Sequence, residues 1–178
     1  METITKSEIK TLIPSDMIQA RVKELAQELN REYNNEEVYV IGVLKGAVVF
    51  MIDLIKHLEM PVKIEFIRLS SYGSGTTSTG QVNAVDISLP DLNGKNVLIV
   101  EDIIDTGHTA KFLTEFIHNN FSVRSYKFVA LLDKRCRRVV DINPDLYGFE
   151  IEDKFVGGYG LDFDEGYRNL NYIGYIET

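Results

Sequence analysis

Glu101, Asp102 and Asp105 stand close together in the stretch VLIVEDIIDTGHTA, residues 97–110, and Thr106-Gly107-His108-Thr109 follows at once. An apolar run leads in and a helix-like pattern leads out, so the Thr-Gly-His-Thr segment sits between a strand and a helix start. Backbone N–H groups there are unpaired, and the helix dipole is positive at that end. Gly107 permits close backbone approach, and Thr106 and Thr109 add hydroxyl donors. That is the chemistry of a phosphate seat. Carboxylates repel phosphate, so Glu101 and Asp102 serve something else. They accept hydrogen bonds from hydroxyls, or hold a hard cation such as magnesium directly or through its waters. A sugar phosphate satisfies both halves. Asp105 lies between them, where it can take or stabilise a proton on an incoming nitrogen. The residues alone leave a second reading open, because Thr- and Gly-bearing turns are common and acids at strand ends are often simply solvated. No GxxxxGK[ST] loop occurs, and no GxGxxG follows the first strand.

The flanking sequence supplies the elements that must position these groups. SDMIQARVKELAQELNREY predicts an amphipathic helix with Ile18, Val22, Leu25, Ala26 and Leu29 on one face, capped by Ser15 or Asp16. EVYVIGVL predicts a buried strand ending near Leu44, and GAVVFMIDLIKHLEM a helix stopped before Pro61. VKIEFIRL predicts a second strand, and SSYGSGTTSTG, residues 70–80, a Ser/Thr/Gly loop. QVNAVDISL alternates like an edge strand, PDLNGK is a turn, and NVLIV is a third buried strand. AKFLTEFIHN predicts a helix, RSYKFVALL a further strand, and the last forty residues read as short pieces. Strands alternating with helices argue for an α/β fold with a mainly parallel sheet. Ligands in such folds sit beyond the carboxyl ends of the strands. That places LKGA, EDIIDTGHT and DKRC on one rim.

Composition narrows the classes. The 178 residues suit one domain with a sizeable core, and they are 44% hydrophobic and 26% charged. A formal net charge of −8 argues against sequence-independent nucleic-acid binding. The single cysteine, Cys136, excludes an intramolecular disulfide and a Cys-rich zinc site. No leader opens the chain and no run approaches a membrane span, so no membrane partner and a cytoplasmic location are expected.

VLIVEDIIDTGHTA closely resembles the phosphoribosyl-diphosphate motif of type I phosphoribosyltransferases, and its Glu-Asp, Asp, Thr-Gly form resembles the hypoxanthine (hypoxanthine-guanine) branch. VLKGA resembles that family's diphosphate loop, SSYGSGTTSTGQV its mobile catalytic loop, and DKFVGGYGLDFDEGYRNLNYIG its purine-binding tail. Four matches in order make the resemblance specific. It implies the type I phosphoribosyltransferase fold, a mainly parallel central sheet flanked by helices with a small hood from the chain ends. It implies one domain over 1–178, with a core of about 15–150, a hood from about 1–14 and 151–178, and a mobile loop at 70–81.

The resemblance also implies a reaction. The 5-phosphoribosyl group of 5-phosphoribosyl 1-diphosphate passes to N9 of hypoxanthine, and of guanine, giving IMP or GMP and diphosphate. Glu101 and Asp102 would face the ribose hydroxyls and Mg2+. Asp105 would be the catalytic base near purine N7, and Asp105, Thr106, Gly107, His108 and Thr109 would hold the 5-phosphate. Lys45 and Gly46 would line the diphosphate loop, after a cis peptide between Leu44 and Lys45. Ser71, Tyr72 and Arg168 would complete the diphosphate site. Lys134 would donate to the purine O6, Phe155 would stack on the base, and Val156 would offer backbone groups to it. Asp162 would anchor a second magnesium through water. Arg135, Arg137 and Arg138 are mostly left at the surface. The chain reads FVGGYG where many relatives read FVVGYG, and Gly157 is expected to loosen the base pocket and blur preference among hypoxanthine, guanine and xanthine. A homodimer or homotetramer is expected. The competing readings are a xanthine-preferring transferase and a non-catalytic regulator that senses the sugar diphosphate. The regulator would be expected to lose Asp105 or the purine tail and to display a basic face, whereas this chain keeps Asp105 and is acidic overall.

Overall fold

The computed structural model describes residues 8–71 and 82–177. Most of the loop expected at 70–81, including Tyr72, lies outside the described residues. The elements run in the order β1 (Lys10–Ile13), α1 (Ser15–Tyr33), β2 (Val38–Leu44), α2 (Val48–Ile55), β3 (Val62–Ser71), β4 (Val82–Asp86), β5 (Asn96–Ile104), α3 (His108–Asn120), β6 (Ser125–Asp133), β7 (Leu146–Glu150), β8 (Val156–Gly157) and β9 (Ile173–Tyr175). Six strands form one sheet in the order β4-β3-β2-β5-β6-β7. All neighbours are parallel except β3 and β4, which pair antiparallel at the edge. The fold is therefore the α/β class with a mainly parallel sheet.

The strands are nearly continuous apolar runs because both faces are covered. Val38 and Val40 of β2, Leu98 and Val100 of β5 and Val129 and Leu131 of β6 pack with α1 and α2. Ile41, Val43, Val97, Ile99, Phe128 and Ala130 point the other way, onto Ala110, Leu113 and Ile117 of α3. This period-two division puts the ends of β2, β5 and β6 on one rim, as expected for a parallel sheet. A second sheet, in the order β1-β9-β8, joins the two ends of the chain. Ile9, Phe163 and Leu170 form a small core of their own there. Among the described residues no helix is long and apolar enough to cross a membrane.

Several local expectations need correcting. The α1 N-cap is Pro14, with no side-chain cap from Ser15 or Asp16, and Ile18 N–H donates to the Pro14 carbonyl at 3.1 Å. Asp16 remains in the first turn, where the helix dipole favours it. The second helix is shorter than its apolar pattern, because residues 45–47 form a turn that faces the rim. The third central strand runs on through Glu101 to Ile104, so the acids lie within the strand's last turns of pleat rather than beyond it. β1 and β7 carry no strong periodic signal, and β7 lies in the stretch expected as short pieces.

The basic run after β6 is also not a surface feature throughout. Arg138 is mostly buried and donates to the fully buried Asp133, to the Asp105 carbonyl at 3.1 Å and to the Ile142 carbonyl. Arg135 bonds the other Asp133 oxygen at 2.9 Å while staying half-exposed. A carboxylate sealed at the end of a strand needs such partners, and that need draws the run inward. Arg138→Met leaves Asp133 with a single, half-exposed partner. It is expected to destabilise the protein by about 3 kcal/mol. Urea unfolding checks this, and a midpoint unchanged from the parent would show that Asp133 does not depend on Arg138.

Candidate active site

The rim pocket is lined by residues 101–107 together with Thr109 and Ala110. Glu101 and Asp102 are placed by β5. Glu101 is 7% exposed, and its Oε2 is out of water without a hydrogen-bond partner. Burial, then the neighbouring Asp102 charge, pushes Glu101 well above the usual carboxylate range. Burial raises Asp102 as well, against hydrogen bonds that favour its charged form, including one from Ile103 N–H at 2.8 Å. Gly46, in the turn after β2, lies against Asp102. A Cβ at Gly46 would fall 1.6 Å from Asp102 Oδ2, so any other residue would push the acid from its place. The Leu44–Lys45 peptide is cis.

Downstream, Gly107 caps α3 with φ 90°. That conformation favours glycine, and a Cβ there would also meet Val140 at 2.6 Å and Arg138 at 2.8 Å. The Thr106 carbonyl accepts from Val139 N–H at 3.0 Å, which fastens the outer side of the turn. The first turn of α3 then presents N–H groups that no preceding turn can satisfy. Thr106, Gly107 and Thr109 line the pocket, whereas His108 is not among its lining residues. Asp105 holds its carbonyl to Arg138. Its Oδ1 is shielded from water without a hydrogen bond, and Arg137 Nε stands 3.4 Å away as an ion-pair partner.

Arg137 was not anticipated. It reaches from Asp105 to Asp153, whose Oδ2 lies 3.4 Å from its Nη1. Asp153 also lies 3.7 Å from Lys134 Nζ. Lys134 is 7% exposed, and its ammonium donates to the Lys154 carbonyl at 2.9 Å. The structure thus brings Lys134 beside the segment carrying Phe155 and Val156. Phe155 is 54% exposed and Val156 is buried in β8.

The two cations assigned to diphosphate meet at a third residue. Lys45 Nζ lies 2.7 Å from Glu165, and Arg168 lies 3.5 Å from the same carboxylate. The Lys45 contact lowers Glu165 from its ordinary value. Arg168 also pairs with Asp162 at 2.7 Å and donates to the Gly160 carbonyl at 2.8 Å. Asp162 is therefore engaged by Arg168 and by Glu165 N–H at 2.8 Å, and is not gathered with Glu101 and Asp102. Gly160 in turn packs on the Gly46 carbonyl, where a Cβ would lie 2.2 Å away. Ser71 ends β3, its backbone paired with Val82.

Gly157 behaves otherwise than expected. A Cβ there would lie 2.5 Å from the Phe163 ring, and β8 pairs it with Gly174. The missing side chain makes room for a phenyl ring, so the site is filled rather than loosened.

Among the described residues no three acids, histidines or cysteines form a metal cage. The paired carboxylates and the orphaned Glu101 oxygen do fit magnesium, which keeps its waters and takes one or two carboxylates plus substrate oxygens. In the folded protein Glu101 holds its proton more tightly than in the unfolded chain. It favours folding below the ordinary carboxylate value, and that contribution fades as pH rises through its elevated one. Glu101→Gln keeps a neutral group at all pH values. Its melting temperature relative to the parent is expected to rise from near zero difference at about pH 5 to about 2–4 °C higher at pH 8, without ligand. Calorimetry across pH checks this, and a constant offset would contradict it.

The chain matches the phosphoribosyl transferase domain over residues 14–164. It is 46% identical over 168 residues to the hypoxanthine-guanine phosphoribosyltransferase of Bacillus subtilis, covering 94% of this chain and 93% of that one. It is 40% identical over 176 residues to the enzyme of that name from Lactococcus lactis, covering 99% and 95%. A crystal structure of a hypoxanthine-guanine phosphoribosyltransferase from Bacillus anthracis superposes with a TM-score of 0.90 at 46% identity, over 96% of this chain and all of the other. A hypoxanthine phosphoribosyltransferase from Staphylococcus aureus does so with a TM-score of 0.91 at 40% identity, over 99% and 96%.

Proposed function

The chain belongs to the phosphoribosyl transferase family, and from that premise we propose that it salvages purines as a hypoxanthine-guanine phosphoribosyltransferase. The reaction displaces diphosphate from the anomeric carbon of 5-phosphoribosyl 1-diphosphate by N9 of hypoxanthine or guanine, giving IMP or GMP. The observation that carries this reading is the meeting, at the end of β5, of two buried carboxylates with an N–H-rich helix start.

Each group then has a task. The α3 N-terminus and the Thr106 and Thr109 hydroxyls hold the 5-phosphate, with His108 contributing its main chain. Glu101 and Asp102 accept from the ribose hydroxyls, and their charge stabilises positive character on the ring as the leaving group departs. Glu101 and Asp102 would hold one Mg2+ bound with the sugar diphosphate, Asp162 would hold a second through water, and the metal would neutralise charge at the leaving oxygens. Lys45, Gly46, Ser71, Tyr72 and Arg168 receive the diphosphate. Lys45 and Arg168 already converge on Glu165, so the position favours an anion. Lys134 donates to the purine O6. An ammonium has only donors, which suits a 6-oxo group better than the 6-amino group of adenine. Phe155 stacks on the base, and Val156 meets its edge. Asp105 takes or stabilises the proton at N7. The segment around 70–81 serves as the lid that excludes water.

The reaction is proposed to run in the cytosol and in a homo-oligomer. Ile52 of α2 and Ile64 and Phe66 of β3 are apolar yet exposed, which supports a second copy as partner.

Asp105→Asn is expected to cut turnover by about 10² to 10⁴ while the KM for the sugar diphosphate stays within about threefold. Steady-state kinetics check this, and unchanged turnover rejects the proton-transfer role. Lys134→Ala is expected to erode the preference for hypoxanthine over adenine. An absorbance assay with each purine tests it, and an unaltered ratio would remove the O6 assignment. Release of diphosphate with none of the purines, by the parent protein, would favour a sensing regulator instead.

A further inference from the structure

Phe155 is an exposed aromatic ring on the segment beside Lys134, and something must fix its angle. Its ring neighbour is Phe163, with centroids 5.4 Å apart and planes at 63°. Phe163 is 1% exposed and contacts Tyr167 on its other side, at 6.3 Å and 69°. Edge-to-face contacts of this kind are directional and favour one ring angle. Phe163 cannot retreat, because its N–H and carbonyl both bond Gly166, at 3.1 and 3.0 Å. It also cannot advance, because Gly157 is the space it fills: two ring carbons stand 2.5 Å from where a Cβ would be. Gly157 is held in turn by the β8–β9 pairing.

We infer that Gly157 and Phe163 act as one matched unit that sets the angle of Phe155, which makes Phe163 a positioning residue for purine binding. This rests on the reading that Phe155 is the base platform. The turn that holds Phe163 also carries Asp162 and Glu165, through which it meets Arg168 and Lys45. The platform for the base and the cations for the diphosphate are thereby set by neighbouring residues of one turn. Phe163 does not touch the reacting atoms. Its effect is therefore on purine KM rather than on turnover.

The test is a set of kinetic measurements on Gly157→Val, Phe163→Leu, their combination and Phe155→Ala. Gly157→Val drives Phe163 from its place, and Phe163→Leu removes the ring edge. Each is expected to raise the KM for hypoxanthine about three- to tenfold, with kcat and the KM for the sugar diphosphate within about twofold. Phe163→Leu takes away outer ring carbon that a side chain at Gly157 would meet, so the double variant is expected to be no worse than the worse single one. Gly157→Ala replaces the valine variant in the same cycle if that protein does not fold. Fully additive effects overturn the inference. So does a parallel rise of both KM values with a falling melting temperature, which is what general loosening of the hood would give. Phe155→Ala separates this from the underlying reading. If it leaves the hypoxanthine KM unchanged, the platform assignment fails. If it raises that KM while Phe163→Leu does not, the platform stands and the positioning role is rejected.

Discussion

Two acids side by side at the end of a central strand, one of them almost wholly out of water, are unfavourable unless a ligand comes to meet them. Glu101 has an oxygen with no partner, and burial raises both carboxyls. A fold under no functional demand would place apolar side chains there, as it does at Val97 to Val100 just upstream. The rest of the site follows from keeping that pair open at the floor of a pocket. What approaches must bring hydroxyls or a hard cation, and whatever anion it carries must sit elsewhere. The start of α3 supplies that elsewhere a few residues on.

Close backbone packing holds the arrangement together. Gly46 rests on Asp102, and Gly160 rests on the Gly46 carbonyl. Bare glycine backbone thus meets the Asp102 carboxylate on one side and a backbone carbonyl on the other, which brings three segments far apart in sequence close together. Tyr159, beside Gly160, anchors the same tail by donating its hydroxyl to Asp53 at 2.7 Å. On the other side of the rim, Arg137 and Asp153 link Asp105 to Lys134. Glu165 plays a comparable part between Lys45 and Arg168. Lys45, Arg168, Lys134 and Asp105 are thus each paired with an opposite charge of the chain, whereas among the described residues Glu101 and Asp102 are not.

Much of this could be read from sequence because the signals were local. A four-residue apolar run leading into Glu101 and Asp102, and a Thr-Gly turn before an amphipathic pattern, name a strand, a turn and a helix by themselves. The parallel sheet then places Leu44, Ile104 and Asp133 on one rim. Long-range pairings were less legible. β1 has four residues and no alternation, and it is a strand because β9 pairs with it. Arg138 looked like one cation of a surface run, since nothing adjacent says that Asp133 is sealed and needs it. Gly157 looked like backbone freedom because the ring it accommodates lies six residues further along, across a turn. Each miss concerns a partner that only the folded chain supplies.

The division of labour at β5 and α3 is the claim on which everything else depends. A crystal structure of the protein with IMP tests it most directly. The account predicts the phosphoryl oxygens within hydrogen-bond distance of the main-chain N–H groups of residues 106–109, and the ribose hydroxyls against Glu101 and Asp102. A phosphoryl group bound away from that turn, or a ribose remote from the two acids, would contradict it.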